Sequence, residues 1–423
     1  MSATAPAIEI RDLYKVYGLH PKQVLDQIHA NPSAPVDSGH VLALSDINLS
    51  IAPGKICVIM GLSGSGKSTL LRCINRLIEP TGGAITVGGR AVLSADTRSL
   101  RQIRLSMIGM VFQHFALLPH MSVVDNVALG LRIAGVPRRE RRARAYQTLK
   151  LVGLDGWGDR KPSNLSGGMR QRVGLARALV MDTPILLMDE PFSSLDPLIR
   201  EELQQELLRL QTTLNKTIVF VTHDPNEAAT IGDHIVILLK GKIVQQGSPR
   251  DIVLAPATDY VRDFIRGVDI FKVLNAERAI DSTLPALTIG EAAAGAVTLL
   301  PPAQGPMAVT DQGGRLLGIA ARPPAPGATE ADWMQRLTLD CVRIKPETLI
   351  APYLQELSAE GRPLVVEHAD GRFAGMVTKA SLLKALAAYP SLVAKQVAEN
   401  ADARDDARPG QAAPSLAAGA ARH

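Results

Sequence analysis

The sequence has little of what marks secreted, metal-binding or membrane-spanning chains. Its three cysteines do not fall at metal-binding spacings and fit a reducing compartment. The N-terminus MSATAPAIEIRD has no basic segment followed by an apolar one, so no secretory signal is predicted. The longest uncharged run, residues 292–310, contains three prolines, which break helices, so it is not predicted to cross a membrane. We therefore expect a cytosolic chain, with peripheral attachment to a membrane as the remaining alternative.

Charge does not indicate a nucleic-acid partner either. A formal net charge of +5 is mild for 423 residues, and the basic run 138–144 is interpreted as the solvated face of a helix. The length predicts two or three domains, and 46% hydrophobic with 21% charged residues is typical of a globular protein.

The stretch GLSGSGKST, residues 61–69, predicts a loop that binds nucleotide phosphates. Its glycines let the backbone turn tightly and direct several N–H groups at one anion. Lys67 would place a positive charge on the β- and γ-phosphates, and the Ser68 hydroxyl would bind Mg²⁺. A glycine-rich turn with an unrelated lysine is the alternative, but an apolar strand-like run precedes the loop and a helix-like run follows it. The residues predicted to bind ATP here are Gly61, Ser63, Gly64, Ser65, Gly66, Lys67, Ser68 and Thr69.

Two carboxylates end a later apolar run, ILLMDE. Ligands sit at the carboxyl ends of parallel strands, so Asp189 suits Mg²⁺ and Glu190 suits a water that attacks the γ-phosphate. Without the phosphate loop upstream, two solvated acids at a strand end would be the simpler interpretation.

Short apolar runs without alternation predict an α/β domain. ICVIM, IGMVFQ, ILLMDE and TIVFVTH are typical of parallel strands buried on both faces. The blocks GPMAVTDQGGRLLGIA and RPLVVEHADGRFAGMV each predict two strands joined by a turn. The predicted organisation is a nucleotide-binding domain over residues 1–266, a linker over 267–281, a second module over 282–395 and a disordered tail over 396–423.

Residues 8–266 resemble the ATP-binding cassette (ABC) ATPases. The resemblance rests on motifs that follow in the family's order, namely GLSGSGKST, the signature NLSGGMRQRVGLARA at 164–178, LLMDEP, SSLD at 193–196 and VTHD at 221–224. It implies the α/β fold of P-loop NTPases, with a RecA-like parallel core, an antiparallel β-subdomain and a helical subdomain carrying the signature.

The resemblance also implies roles for single residues. Gln113 is expected to contact Mg²⁺ and the attacking water, and His223 to touch the γ-phosphate. Asp196 is expected to communicate across a dimer. Tyr17 is expected to stack on adenine, with Tyr14 as the alternative.

One signature and one phosphate loop in the chain imply a head-to-tail pair of subunits. In this family Ser166, Gly167 and Gly168 of one subunit close over the ATP held by the other. A homodimer is expected unless a different ATPase is the partner.

Further features resemble the ATPase subunits of glycine betaine/proline importers. These are the SGGMRQR variant of the signature, the insert between Gly18 and His40, NRLIEP, MVFQHFALLPHM, DYVRDFIRGVDI and the C-terminal block. The resemblance implies an ATP hydrolase at the cytoplasmic face of the inner membrane, with integral membrane permease subunits and a separate substrate-binding protein. The alternatives are an importer of another small amino acid or osmolyte, and a soluble ABC ATPase acting on nucleic acid or ribosomes. The latter usually carry a long coiled coil or two cassettes, and this chain has neither.

The C-terminal repeat resembles a tandem of cystathionine-β-synthase (CBS) modules, which implies a regulatory module. The family's adenosine-binding stretch is Gly-apolar-apolar-Thr/Ser-x-x-Asp. The second copy, residues 375–381, lacks the aspartate, and the first copy, residues 318–324, lacks both polar groups. The repeat is therefore either an adenosine-binding module or a degenerate dimerisation module.

Overall fold

The computed structural model describes residues 5–31, 39–113, 116–281, 284, 286–293, 306–321 and 328–389. It divides into two compact units with the boundary after Val268. In the described residues, no helix is long and apolar enough to span a bilayer.

The first unit alternates strands and helices. Its strands are β1 (Ile8–Tyr17), β2 (Val41–Ile51), β3 (Ile56–Met60), β4 (Gly82–Val87), β5 (Arg90–Ala91), β6 (Ile108–Val111), β7 (Ile185–Asp189), β8 (Thr217–Thr222), β9 (His234–Leu239) and β10 (Lys242–Gly247). Its helices are α1 (Pro21–Ala30), α2 (Lys67–Ile74), α3 (Thr97–Met107), α4 (Val123–Val127), α5 (Leu129–Ile133), α6 (Arg138–Leu151), α7 (Gly167–Leu179), α8 (Pro197–Leu214), α9 (Pro225–Ile231), α10 (Pro249–Leu254) and α11 (Asp259–Phe264), with a 3₁₀ turn at Pro162–Asn164.

A mainly parallel sheet forms the centre of this unit. Its strand order is β10-β9-β3-β8-β7-β6, and only β10 runs antiparallel to its neighbour. Every residue of β3, β7 and β8 is buried, because helices and the second sheet cover both faces. The prediction of a parallel α/β core from non-alternating apolar runs is confirmed.

An antiparallel sheet of order β2-β1-β4-β5 packs over the first. In β2 the side chains of Ile47, Leu49 and Ile51 are buried, while the residues between them are exposed. This alternation is typical of a sheet with one solvated face. The buried face joins a core with Leu70 and Leu71 of α2, so it supports the helix that follows the phosphate loop.

A group of helices connects β6 to β7. Helices α4, α6 and α7 pack on one another, and each carries a fully buried side chain: Val127, Leu149 and Val173. This part contains the signature, at the start of α7.

The second unit contains two sheets of the same design. Its strands are β11 (Ala286–Thr288), β12 (Met307–Thr310), β13 (Leu316–Ala320), β14 (Val342–Ile344), β15 (Leu364–Glu367) and β16 (Phe373–Val377). Its helices are α12 (Ala276–Ala279), α13 (Ile289–Ala293), α14 (Glu330–Arg336) and α15 (Lys379–Ala387), with 3₁₀ turns at Ile270–Lys272 and Ala351–Tyr353 and a π-helical turn at Glu356–Glu360. In each sheet the first strand runs parallel to the second, and the second pairs with the third as a hairpin. Buried Ile319 and Val365 belong to one apolar cluster that joins the two sheets.

The segment predicted as a linker is folded in the structure. Ile270 and Leu274 are 1% and 0% exposed, and the Leu274 carbonyl accepts a hydrogen bond from Ile350 N at 3.0 Å. Asp281 N donates to the Met376 carbonyl at 2.9 Å. Residues 269–281 therefore belong to the second unit, because their scattered apolar side chains are buried there. The predicted tail, 396–423, lies outside the described residues.

Trp333 is expected to control the stability of the first repeat. Its side chain is 2% exposed and packs among Met307, Val309 and Ala320, so Trp333→Ala removes a large buried volume. We expect a loss of about 3–5 kcal/mol in the free energy of unfolding of this unit. Scanning calorimetry of the full chain should show one transition moved to lower temperature. The control is Met334→Ala, since Met334 is 51% exposed on the same helix, and equal shifts in both variants would contradict the prediction.

Candidate functional site

The phosphate loop lies between β3 and α2, and glycine is required at two of its positions. Gly61 and Gly66 have φ of 149° and 103°. A Cβ atom on Gly61 would lie 2.3 Å from the Leu238 carbonyl oxygen, and one on Gly66 would lie 2.6 Å from that of Ala43. Carbonyl groups of the neighbouring strands therefore lie so close to the loop that only glycine fits at these two positions.

The charge of Lys67 is buried inside this loop. Its side chain is 5% exposed, and Nζ donates to the Gly61 and Leu62 carbonyls at 2.9 and 3.1 Å. Burial lowers the pKa of Lys67, and the charges of Glu190 and Asp189 act in the opposite direction. Among the described residues no side chain caps the start of α2, so its first amides can bind an anion.

The other loop residues differ in accessibility. Ser63 and Gly64 are exposed, and Thr69 is half-buried in α2. The hydroxyl of Ser65 is buried without a hydrogen-bond partner among the described residues. A phosphate group bound in this loop would bring oxygen acceptors to such a hydroxyl.

Oxygen atoms suited to a divalent cation meet at the end of β7. The Ser68 hydroxyl donates to Asp189 Oδ1 at 2.7 Å, and Asp189 is 1% exposed. The described residues contain no group of three or more His, Cys, Asp or Glu side chains that could hold a metal by themselves. A hydroxyl and one carboxylate, with the remaining ligands from phosphate and water, is the donor set that Mg²⁺ uses beside nucleotides, so the residues fit the ion.

Glu190 is the point at which the predicted catalytic residues meet. Lys67 Nζ lies 3.9 Å from Oε1, and Gln113 Nε2 and His223 Nδ1 lie 3.4 and 3.3 Å from Oε2. The Glu190 backbone has φ of 44°, in the left-handed region, and its N–H donates to the Val221 carbonyl at 3.1 Å. Strained backbone of this kind concentrates at functional sites.

The two candidate adenine-stacking tyrosines lie in different surroundings. The Tyr14 ring packs edge-on against His29, with 5.1 Å between ring centroids. Tyr17 is 40% exposed at the end of β1, and Lys15 Nζ lies 4.7 Å from its ring centroid. Tyr17 is therefore the more accessible ring.

Ser166 of the signature and Asp196 each lie at the start of a helix. Ser166 caps α7 by accepting from Met169 N at 3.3 Å, and Gly167 and Gly168 form the first turn. Asp196 caps α8 by accepting from Ile199 N at 3.1 Å. Ser166 and Asp196 are both exposed, so they can meet a second molecule.

The structure adds residues that the sequence analysis did not identify. Arg72 donates to Asp189 Oδ2 at 2.9 Å, and its signal was the spacing of four residues from Ser68, which places both on one helix face. Arg200 pairs with Asp224 and Glu227, which both follow His223 in the chain. No local sequence motif identified Arg200 or Glu227.

Comparison with known proteins identifies the class. The ABC transporter family model matches residues 44–193. A solved structure, the dimeric post-hydrolysis state of the ATP-binding cassette MJ0796 bound to ADP and Pi, is 35% identical with a TM-score of 0.50, covering 57% of this chain and 99% of that one. The chain belongs to the ABC transporter ATPases.

Its relatives within that family are ATP-binding proteins of solute transport systems. The chain is 41% identical over 388 residues to the glycine betaine/proline betaine transport system ATP-binding protein ProV of Escherichia coli K12, covering 90% of this chain and 97% of that protein. It is 40% identical over 387 residues to the glycine betaine transport ATP-binding protein OpuAA of Bacillus subtilis 168, covering 90% and 92%. The resemblance predicted from the motifs is confirmed.

Gly66 and Gly64 differ in how closely other atoms approach them, and substitution can test this difference. Gly66→Ala brings a methyl group against the Ala43 carbonyl, whereas Gly64→Ala, also at positive φ, meets no atom within 4 Å. We expect Gly66→Ala to cost about 1–3 kcal/mol more in unfolding free energy, because packed backbone must move. Thermal unfolding and calorimetric titration with ATP should show lower stability and weaker binding for Gly66→Ala. Indistinguishable variants would show that the strand does not constrain the loop.

Proposed function

We propose that this chain is the ATP-hydrolysing subunit of an ABC importer that energises uptake of an osmoprotectant of the glycine betaine class. The observation that carries the ATPase activity is the convergence of Lys67, Gln113 and His223 on Glu190. The solute class is supported by relatives that are named for glycine betaine transport and align over 90% of the chain.

The proposed binding step uses charge and oriented N–H groups. The loop amides and Lys67 hold the β- and γ-phosphates, and Tyr17 stacks on the adenine. Lys67 Nζ exchanges the loop carbonyls for phosphate oxygens. Ser68, Asp189 and Gln113 are placed to hold Mg²⁺, which when bound neutralises phosphate charge.

In the proposed hydrolysis step, Glu190 accepts a proton from water. Its carboxylate lies at the end of β7, beside the amide of Gln113, which helps to orient that water. The ring of His223, 3.3 Å from Glu190, is placed to touch the γ-phosphate. The strained backbone of Glu190 holds the carboxylate at this position.

The proposed active form is a head-to-tail homodimer. The signature of one subunit closes over the ATP of the other subunit through Ser166, Gly167 and Gly168. Asp196 couples the two ATP sites. The exposure of Ser166 and Asp196 supports this assignment, as does the dimeric state of the cassette MJ0796.

The remaining partners follow from the importer assignment. We assign the chain to the cytoplasmic face of the inner membrane, attached to integral permease subunits that receive solute from a separate binding protein. The second unit, with its two sheets of the same design, is assigned as a CBS-like regulatory module. Nucleic acid is not a proposed partner.

Glu190→Gln tests the assignment of the water-activating residue. Glutamine keeps the shape but cannot accept the proton, so we expect hydrolysis at least about 100-fold slower with retained binding of Mg-ATP and an accumulated ATP-bound dimer. Lys67→Ala should instead weaken ATP binding. The measurements are phosphate release, ATP titration and size-exclusion chromatography.

In cells that lack the native gene, wild-type protein should restore uptake of labelled glycine betaine and Glu190→Gln should not. Hydrolysis near the wild-type rate in Glu190→Gln would contradict the role of that residue. Unchanged glycine betaine uptake in the gene-deleted cells would contradict the solute class, leaving another amino acid or osmolyte.

A docking segment for the permease is proposed at residues 115–120, two positions after Gln113; within it Phe115 lies outside the described residues. Arg177 donates to the Ala116 carbonyl and Lys161 to the His120 carbonyl, each at 2.5 Å. These contacts hold an apolar segment at the surface, as a groove for a short permease helix requires.

Leu117→Asp and Leu118→Asp should separate ATP hydrolysis from transport. A carboxylate in an apolar groove opposes binding of the permease helix, so uptake should fall to background while purified chain still hydrolyses ATP. Leu151→Asp, at a half-exposed leucine that ends α6, is the control. Full uptake by both docking variants would place the groove elsewhere.

A further inference from the structure

A buried carboxylate lies four residues after His223, the proposed switch histidine that contacts the γ-phosphate. Glu227, in the first turn of α9, is 6% exposed, and burial raises its pKa above the usual range. Its Oε2 accepts a hydrogen bond from the Thr222 hydroxyl, and its Oε1 accepts one from Gln204 Nε2 at 3.1 Å. A carboxylate this deep is costly unless it is paired, so these contacts call for an explanation.

On one side, Glu227 is hydrogen-bonded to the residue next to His223. Thr222, the last residue of β8, comes immediately before the histidine. The Thr222 hydroxyl donates to Glu227 and accepts from the backbone N–H of Asp224 at 3.0 Å, immediately after the histidine. The backbone on both sides of His223 is thus fixed through one hydroxyl, which is held by Glu227.

On the other side, Glu227 is paired with Arg200, which contacts the segment that contains Asp196. Arg200, in the first turn of α8, donates from Nη2 to the Leu195 carbonyl at 3.1 Å. Its Nη1 lies 3.5 Å from Asp224 Oδ2, and its Nε lies 3.8 Å from Glu227 Oε1. One guanidinium therefore contacts the residue before Asp196 and two carboxylates that follow His223.

We propose that Arg200 and Glu227 are positioning residues that couple the Asp196 segment to the His223 segment, so that closure against the partner subunit sets the position of the switch histidine. The inference rests on the proposed head-to-tail dimer and on the proposed roles of Asp196 and His223. A planar guanidinium that is hydrogen-bonded to a carbonyl and lies within ion-pair distance of two carboxylates transmits displacement of one segment to the other. A purely structural polar cluster would affect folding without changing hydrolysis per bound ATP.

The test compares Arg200→Met, Glu227→Gln and the double variant in the full chain. Lys216→Met is the control, because Lys216 is likewise a cation paired with a carboxylate, Asp182, and lies just before β8, at the opposite end of that strand from Thr222. ATP hydrolysis is measured against ATP concentration, beside equilibrium ATP binding and thermal unfolding.

We expect equilibrium ATP binding to change by less than about twofold while kcat falls about tenfold or more in each single variant. The Hill coefficient for ATP should fall towards one. The double variant should be no slower than the slower single variant, because both remove the same coupling. Arg200→Lys, which keeps the charge, should recover part of kcat, and Lys216→Met should resemble wild type.

Folded single variants with wild-type kcat and Hill coefficient would overturn the inference, as would losses that multiply in the double variant. If Glu227→Gln does not fold, Thr222→Val removes the hydroxyl that Glu227 holds, and wild-type kcat there would overturn it equally. Slow hydrolysis in Glu190→Gln beside wild-type hydrolysis in Arg200→Met would overturn this inference alone. Wild-type hydrolysis in Glu190→Gln would contradict the catalytic role proposed for Glu190 and not this inference.

Discussion

The buried ammonium of Lys67 is the constraint around which the site is arranged. A cation this deep needs compensating charge or dipoles, and here two loop carbonyls and the Glu190 carboxylate supply them. The carbonyls are available because the glycines let the loop curl around the side chain. The carboxylate is available because the end of β7 bends into a left-handed residue. A nucleotide phosphate entering the loop finds a cation that is already desolvated, which strengthens their attraction.

Local sequence patterns were sufficient to predict some parts of this site. The phosphate loop and the Asp189–Glu190 pair follow apolar runs whose lack of alternation marks buried parallel strands, and the structure has both at strand ends. The contact of Gln113 and His223 with Glu190 could be expected only from resemblance to a family, because it depends on how distant strands align.

What the sequence could not provide depends on side chains that meet across elements. Arg200 and Glu227 lie on separate helices, and neither has an unusual neighbour in the chain. Residues 267–281 were predicted as a linker because their apolar residues have no regular period, yet Ile270 and Leu274 are buried. The surroundings of Tyr14 could not be predicted either, because its ring packs against His29, a residue of the inserted helix α1.

The order of strands in the central sheet has a consequence for synthesis of the chain. Strand β3, which leads into the phosphate loop, has β8 and β9 as its neighbours, so Ile56 pairs with Ile218 and Val58 with Ile235. Both partners leave the ribosome long after β3 does. Until then β3 has two open edges, and parallel pairing over such sequence separations is slow. The nucleotide loop therefore forms late in folding, and a chain truncated before β8 would leave both edges of the apolar strand β3 unpaired.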